Sequence, residues 1–381
     1  MPLPPLFPRR RFLAASGAAT ATALAAVTGM PRLARAAEGR KLRVHFVNPG
    51  RSGDRFWQMV QATMGAAARQ MDITLTTSWG ERERERIIHL GLKAVSARPD
   101  YLVIVNEHRT ALPVLEAAEA AGLPTFLLLN AFQGEELVRV GRPGDRMAAF
   151  AGSLVPDNVG AGHRIATRLV KEAAARGLAR DGAVQVLAVT GLRATPAAHD
   201  RTLGLEQAMA ALPEARLLDV VQVNWSREEA RERALGLLRR WPGTGAIWCA
   251  NDEMALGCAD AAEALGLVAG RDLLLAGLNW SPEGLQAVAD GRLLFSLGGH
   301  FLSGAWAMVM LRDLADGEGL ALRREREVGF DFALLDAAGA RTWTARHGNG
   351  DWGRVQFAAY RRPRGDYDFG PLRLVTDRSA S

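Results

Sequence analysis

Short apolar runs alternate with longer amphipathic segments along most of this chain, and this alternation restricts the possible folds more than any other feature. In the first part of the chain, the apolar runs predict strands at 42–47, 73–77, 101–105 and 125–129. The periodic segments between them predict helices at 56–70, 84–97 and 112–121. Strands that are apolar on both faces and separated by helices are typical of a parallel sheet covered on both sides.

The same alternation begins again after residue 153. It predicts helices at 160–175 and 200–212, and strands at 184–189, 217–223, 246–249 and 273–277. A chain of 381 residues is long enough for two domains of this kind. We therefore predict an α/β fold with two doubly wound parallel-sheet lobes.

Three segments are expected to connect the two lobes. The turn-prone stretch 152–158 is predicted to cross from the first lobe to the second. The predicted helix at 303–314 and the extended segment at 328–332 would cross back and return, which gives a three-stranded hinge. The expected boundaries are 41–153 plus 300–328 for the N-terminal lobe, 154–299 plus 329–340 for the C-terminal lobe, and 341–381 for an irregular C-terminal extension.

The first residues have the pattern of an export signal. Arg-Arg-Arg-Phe-Leu at 9–13 precedes an apolar, alanine-rich stretch at 14–27, and Ala-Arg-Ala at 34–36 offers a cleavage site. The apolar stretch is shorter than the ~20 residues that a membrane-spanning helix needs. Because Arg-Arg-x-Phe-Leu resembles the twin-arginine motif, we expect residues 1–36 to direct export to the periplasm and to be cleaved near Ala36.

The charge of the chain does not point to nucleic acid. Five arginines but no acidic residue precede position 37, so the mature chain keeps 42 of the 47 basic residues against 41 acidic ones. The formal net charge of +6 is therefore largely a property of the signal. The alternating charges at 81–86 are interpreted as a solvated start of a helix.

No catalytic or cofactor motif is recognisable in the sequence. It contains no G-x-G-x-x-G after the first strand, no Walker A loop, no G-x-S-x-G and no H-E-x-x-H. The seven histidines show no metal-ligand spacing. We therefore predict no catalytic residue, no metal and no cofactor.

Cys249 and Cys258 are the two cysteines of the chain. A residue on a strand and one on the next helix could pair after export, and only the geometry decides between a disulfide and two thiols. We interpret both as small buried hydrophobic residues.

Polar and aromatic residues cluster where the predicted strands end. Asn-Asp-Glu-Met-Ala-Leu-Gly at 251–257 connects a buried strand to a helix, so its first two side chains lie at the carboxyl edge of a sheet. They can cap the helix or contact a ligand, because ligands bind at this edge in open α/β sheets. Other strand ends supply Asn48, Phe56, Trp57, Asn106, Asn130, Trp225 and Asn279. Amides and flat rings together suit a polyhydroxylated ligand.

Two motifs and one arginine make the chain resemble the type I periplasmic sugar-binding proteins, the ribose-type solute-binding components of ABC transporters. They are the Asn-Asp motif at 251–257, Gly-Leu-Asn-Trp-Ser-Pro-Glu-Gly at 277–284, and Arg201 ahead of Gly204. The resemblance covers roughly residues 41 to 332. It implies capture of a sugar or sugar-like molecule by hinge closure and delivery to an inner-membrane ABC permease, with the binding protein acting as a monomer.

The resemblance also implies a set of ligand-binding residues. Phe56 and Trp57 match the aromatic pair of the first lobe, Trp225 the facing aromatic, and Arg201 and Asn251 the hydroxyl-binding residues of the second lobe. The complete expected set is Asp54, Phe56, Trp57, Glu107, Arg109, Asn130, Arg201, Trp225, Asn251, Asn279 and His300.

Several positions depart from the family pattern and affect the expected ligand. Asn279 stands where an aspartate is usual, and His300 lies near the place of a hinge glutamine, which makes ribose itself doubtful. The family pattern has an acidic position after the third strand, and either Glu107 or Arg109 occupies it in this chain. Arg51, Arg109 and Arg201 leave room for an oxidised or anionic sugar.

Three other functions compete with transport. A sensory relative that resembles the autoinducer-2 binding protein would present its ligand to a membrane sensor kinase. A hydrolase or isomerase could use the same doubly wound fold. Lactose-repressor-type proteins share these lobes, but they carry a DNA-binding headpiece where this chain has an export signal, so no nucleic-acid partner is expected.

Overall fold

The computed structural model describes residues 41–317, 326–362 and 367–376. The export signal predicted at 1–36 lies outside these residues. Among the helices of the described part, none is long and apolar enough to cross a membrane.

Twelve strands and twelve α-helices make up the regular structure of the described residues. The strands are β1 (Leu42–Asn48), β2 (Ile73–Trp79), β3 (Tyr101–Ile104), β4 (Thr125–Leu128), β5 (Phe150–Pro156), β6 (Val184–Thr190), β7 (Ala215–Gln222), β8 (Ala246–Cys249), β9 (Leu274–Asn279), β10 (Ser296–Gly298), β11 (Glu327–Phe330) and β12 (Ala333–Leu335). The helices are α1 (Arg55–Gln70), α2 (Arg84–Ala97), α3 (Ala111–Ala121), α4 (Gly134–Val140), α5 (Asn158–Ala175), α6 (Pro196–Ala211), α7 (Arg227–Arg240), α8 (Asp252–Ala264), α9 (Pro282–Ala289), α10 (Ser303–Ala315), α11 (Ala337–His347) and α12 (Arg373–Thr376).

The strands form two separate sheets of six strands each. The first has the order β11-β5-β4-β3-β1-β2, and the second has the order β12-β10-β9-β8-β6-β7. All neighbours are parallel except β12, which runs antiparallel to β10. The predicted α/β class with two doubly wound parallel-sheet lobes is therefore confirmed.

The strand order places a topological switch point in each sheet. β1 lies between β2 and β3, and β6 lies between β7 and β8, so the connections that leave these central strands run to opposite sides. The carboxyl ends of parallel strands beside such a point leave a crevice that suits a ligand. The segments after β1, β3, β6 and β8 are therefore the first places to look for a site.

The chain crosses between the two sheets three times. β5 belongs to the first sheet and continues into α5, while β10 belongs to the second sheet and continues into α10, which packs on α1. The extended segment predicted at 328–332 overlaps β11, which joins the first sheet beside β5, and leads into β12, which joins the second sheet beside β10. These crossings form the hinge.

Both faces of the first sheet are covered. The residues of β1 divide between two separate hydrophobic clusters: Val44 and Phe46 pack with the residues of α1 and α10, whereas Val47 packs with those of α2 and α3. In the second lobe α5 packs against α6 and α7 against α8. Burial of apolar side chains on both faces explains why the strands read as continuous apolar runs.

Cys249 and Cys258 are buried free thiols with their Sγ atoms 3.8 Å apart. Their side chains pack in the core of the second lobe between β8 and α8. The interpretation of both as small buried hydrophobic residues is confirmed.

The C-terminal segment is more ordered than an irregular extension. α11 begins before residue 341 and packs on α9 of the second lobe, whereas the 3₁₀ turn Phe357–Tyr360 packs on α1 and α10 of the first. Trp343 in α11 is 4% exposed and lies 4.8 Å from the ring of Trp280. The segment therefore contacts both lobes.

Candidate ligand-binding site

A cavity lies between the two lobes at the carboxyl ends of the strands, with a volume of about 80 Å³. A single buried water needs roughly 10–15 Å³ by the same measure, so the cavity has room for a small polar molecule. Its lining comes from both lobes and consists of Phe56, Trp57, Arg82, Glu107, Leu129, Asn130, Pro156, Asn158, Ala197, Arg201, Trp225, Asn251, Asn279 and His300.

The lobes touch each other at two points beside this cavity. The side-chain amide of Gln133 in the first lobe donates to Asp200 Oδ1 in the second at 2.6 Å. Arg55 Nη2 in the first lobe lies 3.1 Å from Glu283 Oε1 in the second. The structure therefore shows the two lobes closed on one another.

Each lobe presents a tryptophan to the cavity, and each tryptophan lies against a glycine. A Cβ atom at Gly50 would lie 2.1 Å from the ring of Trp57, and one at Gly191 would lie 2.3 Å from the ring of Trp225. Any larger residue at either position would displace the ring. Phe56 adds a third ring, 5.2 Å from that of Trp57 in an edge-to-face arrangement. Such rings offer the flat apolar faces on which the C–H groups of a sugar can lie.

Arg201 on α6 is a buried cation, 4% exposed. Its Nε donates to Asn158 Oδ1 and its Nη1 donates to the carbonyl oxygen of Ala250, both at 2.8 Å. The guanidinium carbon also lies 5.8 Å from the ring of Trp225. Burial lowers the pKa of Arg201 to about 9. Two fixed acceptors hold the group in place, and its remaining N–H groups can donate to a ligand.

Glu107 lies opposite, in the loop that follows β3. Its carboxylate accepts a hydrogen bond from Asn130 Nδ2 at 2.7 Å. Burial raises the pKa of Glu107, and the charge of His108 opposes that shift. The next two residues, His108 and Arg109, have φ values of 50° and 57°. Such left-handed conformations are uncommon for residues with side chains and concentrate at ligand sites.

Asn251 both caps a helix and lines the cavity. Its backbone is extended, with φ −152°, and its Oδ1 accepts from Met254 N at 2.8 Å at the start of α8. The two interpretations of the sequence therefore do not exclude each other, because the amide nitrogen of the same side chain is left for a ligand. Asn279 lines the cavity at the end of β9 and has a φ of 144°.

Asp252, the second residue of the same motif, lies behind the cavity. It is fully buried, and its carboxylate accepts hydrogen bonds from Ser281 N at 2.8 Å and Ser296 Oγ at 2.7 Å. Burial raises its pKa to about 6. Asp252 thus fixes α8 to the loop after β9 and to β10, and it positions Asn251 and Asn279 indirectly.

His300 follows β10 in the hinge and is 2% exposed. Its ring stacks on Phe56 with centroids 4.6 Å apart, and its Nδ1 has no hydrogen-bond partner among the described residues. Burial, with a smaller contribution from the charge of Arg201, holds the pKa of His300 well below its usual value. The imidazole is therefore neutral and offers one donor and one acceptor.

Nine of the eleven expected site residues line the cavity, and two do not. Asp54 lies beside it and accepts from Arg82 Nε at 2.7 Å, so it supports a cavity residue. Arg109 lines a second, outer cavity, and Arg51 is exposed and lines neither. The cavity lining therefore does not include these three side chains in this structure.

Two polar cavity residues were not expected. Arg82 belongs to the charge run interpreted as a solvated helix start, but its side chain is only 18% exposed and faces the cavity. Asn158, at the start of α5, orients Arg201 from a segment that was interpreted only as a crossing. Within the described residues, no group of three histidine, cysteine or acidic side chains could hold a metal ion.

The fold is that of a two-lobed protein with a cavity of polar and aromatic side chains between its lobes. Residues 44–319 match the model of the periplasmic binding protein domain family, and the chain belongs to that family.

Several known proteins are similar to this chain. The crystal structure of a periplasmic sugar-binding protein from Pseudomonas fluorescens is 35% identical, covers 88% of this chain and 99% of that chain, and has a TM-score of 0.77. The ribose import binding protein of Salmonella typhimurium is 31% identical over 140 residues, which cover 37% of this chain and 44% of that protein. The galactofuranose-binding protein of Escherichia coli is 22% identical over 240 residues, which cover 62% of this chain and 70% of that protein. The match thus spans less than half of the ribose protein.

Proposed function

We propose that this protein captures a sugar or a sugar-like small molecule by hinge closure and delivers it to an ABC transporter permease. The observation that carries the proposal is the cavity between the lobes. Rings from both lobes line it, together with amides, two guanidinium groups and a carboxylate. A ligand with apolar C–H faces and a rim of hydroxyl groups satisfies both kinds of surface, and a purely apolar ligand would leave the polar groups unpaired.

The relatives support this function over sensing and over catalysis. A protein with 35% identity is a periplasmic sugar-binding protein, and another relative is a ribose import binding protein. Import requires a membrane permease, and the closed pair of lobes is the form that a permease would recognise. The same names support a periplasmic location and a non-enzymatic role.

The expected boundaries fit this mechanism. With the lobes divided at 153/154, 299/300 and 328/329, the first and last boundaries fall within β5 and β11, and the middle one directly follows β10. Each boundary thus lies within a few residues of a segment that crosses between the sheets. Closure around such crossings is the motion known for periplasmic binding proteins, and we propose the same motion here, with the protein acting as a monomer.

Energy transfer between two fluorescent labels tests capture by closure. Val138 on α4 and Leu203 on α6 are 68% and 38% exposed, and they belong to different lobes. Cysteines introduced by Val138→Cys and Leu203→Cys can be labelled selectively, because Cys249 and Cys258 are buried. Addition of a bound sugar should raise the transfer efficiency, since the ligand bridges the lobes and shifts the population towards the closed form.

The control carries both labels on the first lobe, through Val138→Cys and Leu92→Cys on α2. Its transfer efficiency should not change. Sugar binding that leaves both pairs unchanged would contradict hinge closure, and the absence of binding to any sugar by calorimetry would contradict the proposed ligand class.

A further inference from the structure

The cavity carries more positive than negative charge. Arg82 and Arg201 line it, and Glu107 is its one acidic residue among the described part of the chain. Arg201 has neutral partners, Asn158 Oδ1 and the carbonyl oxygen of Ala250, and no carboxylate of the described residues lies within 4 Å of it. A buried cation without a paired anion is costly. The cavity as a whole therefore favours an anionic ligand over a neutral one.

The single carboxylate in the cavity, Glu107, interacts with both arginines and offsets part of their charge. Glu107 already accepts a hydrogen bond from Asn130, and burial raises its pKa, so the protonated form is favoured relative to a solvated carboxylate. Asn279 contributes a neutral amide.

Arg82 is fixed where the cavity opens to the outside. Its backbone has a φ of 60°, and its N–H donates to the carbonyl oxygen of Pro49 at 2.9 Å. Its Nε donates to Asp54 at 2.7 Å, and the two side chains are 18% and 19% exposed. The terminal Nη groups of Arg82 make no hydrogen bond to any described residue. They form a planar pair of donors that suits a carboxylate or a phosphate.

A second, wider cavity of about 810 Å³ continues outward from Arg82, and we call it the outer basin. Both lobes line it, and its further cations are Arg84, Arg109, Arg193, His108 and His199 if protonated. The one acidic residue in its lining is Glu136, which accepts a hydrogen bond from Asn106 at 3.0 Å. Arg84, Arg193 and His199 have carboxylate partners outside the lining, so the lining itself, rather than its whole surroundings, is mostly basic. A cleft lined by charges of one sign concentrates ligands of the opposite sign.

We propose that the ligand is an acidic monosaccharide whose ring occupies the inner cavity and whose anionic group, a carboxylate or a phosphate, is bound by Arg82 at the entrance to the outer basin. This inference rests on the proposed function and specifies its ligand. The outer basin also provides the path by which the ligand reaches the inner cavity. An anion that enters between the open lobes passes the outer arginines before it reaches Arg82.

Sugars that differ only in an anionic group separate the contribution of that group to the affinity from the contribution of the ring. The probes are D-galactose, D-galacturonate and D-galactose 6-phosphate, together with D-glucose, D-glucuronate and D-glucose 6-phosphate, all of which keep the sugar ring, titrated by calorimetry into the mature chain. In at least one set, an acid should bind about tenfold or more tightly than its neutral sugar, which is the range for a hydrogen bond to a charged group. This advantage should shrink as the salt concentration rises. The carboxylate and phosphate members distinguish the two sources of negative charge.

The variant Arg82→Gln with Asp54→Asn removes both members of the ion pair, so that no carboxylate is left unpaired. The matched control is Arg271→Gln with Asp272→Asn in the second lobe. Arg271 Nε lies 2.9 Å from its aspartate, and Val268 N donates to that carboxylate as Arg51 N donates to Asp54. The ratio of acid to neutral-sugar affinity should fall to within about twofold in the first variant and remain unchanged in the control.

The measured quantity is the ratio of acid to neutral-sugar affinity. General damage to the site would weaken both affinities and leave their ratio unchanged. A neutral sugar that binds as tightly as its acids, or an advantage that survives in the first variant, would overturn the inference and leave the proposed function intact. If no sugar or acid of the panel binds, the proposed function is contradicted and the inference with it.

Discussion

Asn251 has two roles that one pair of substitutions can separate. Its Oδ1 caps α8 through Met254 N, and its side chain also lines the cavity. Serine is as good a cap as asparagine, but it is too short to reach a ligand. Asn251→Ser should therefore weaken ligand binding and keep the free energy of unfolding, whereas Asn251→Ala should lower both.

The expected magnitudes follow from the contacts. Leaving a buried ligand hydroxyl without its partner costs about 1–3 kcal/mol, which corresponds to a dissociation constant raised roughly 5-fold to 150-fold. Loss of the cap in Asn251→Ala should lower the free energy of unfolding by about 0.5–2 kcal/mol. Calorimetric titration gives the first quantity and urea unfolding gives the second.

A cap outside the cavity provides the control. Asp157 accepts from Gly160 N at 2.8 Å at the start of α5 and does not line the cavity. Asp157→Ser should leave both the affinity and the stability close to those of the wild type. Ligand binding by Asn251→Ser within twofold of the wild type would refute the assignment of Asn251 to the site, and equal destabilisation by serine and alanine would refute the capping argument.

Three further substitutions probe the hinge, the aromatic pair and the C-terminal segment. His300→Gln should reduce the loss of stability at acid pH. The unfolded chain takes up a proton on His300 below about pH 6.5, whereas burial in the folded chain disfavours that proton. His300 therefore lowers the free energy of unfolding by up to about 1.4 kcal/mol for each pH unit below that value. Gly50→Ala should displace the ring of Trp57 and weaken ligand binding at least tenfold, measured by calorimetry, whereas Gly53→Ala, which has open space around it, should not. Asp313→Ala should lower the free energy of unfolding by about 1–3 kcal/mol, measured by urea denaturation, because the fully buried carboxylate accepts hydrogen bonds from Arg361 Nε at 2.6 Å and from Arg362 N and Tyr367 Oη at 3.0 Å.

Each of these predictions has an outcome that contradicts it. An unchanged pH profile in His300→Gln would mean that the folded and unfolded states bind protons at this site equally. Equal affinities for the two glycine variants would show that Trp57 does not contact the ligand. For Asp313, the comparison is Asp316→Ala, because Asp316 binds the same Arg361 but is 30% exposed; a similar cost for both aspartates would contradict the role of burial.

The architecture was accessible from the sequence because it depends on local and periodic information. The helix predicted at 84–97 coincides with α2, and the strand predicted at 246–249 coincides with β8. Apolar runs identify strands buried on both faces, and the alternation with helices determines the sheet type. Residues that directly follow these strands, such as Asn130 and Asn251, could therefore be placed at the sheet edge from the sequence, and they line the cavity there.

The residues that were missed depend on contacts between distant parts of the chain. Arg82 faces the cavity because its backbone adopts a left-handed conformation and because Asp54, 28 positions earlier, binds its Nε. In the sequence it is one member of an alternating charge run. Asn158 acts through Arg201, which lies 43 positions later.

The packing of the C-terminal segment could not be predicted for the same reason, because it depends on distant parts of the chain. Its aromatic residues have weak periodicity, and they are buried by surfaces that other parts of the chain create. Trp352 packs 5.6 Å from Phe301, and Phe369 stacks 5.0 Å from Trp306. No local pattern predicts such partners, so the sequence indicated only an irregular extension.

A thermal-shift screen of residues 37–381 against neutral sugars, sugar acids, polyols and amino acids tests the central claim most directly. A ligand that binds only the folded state stabilises it by about 2.7 kcal/mol at a hundredfold excess over its dissociation constant, which raises the melting temperature measurably. The account predicts a clear rise with at least one sugar or sugar acid and none with amino acids. No shift with any sugar, or a shift with amino acids alone, would contradict it.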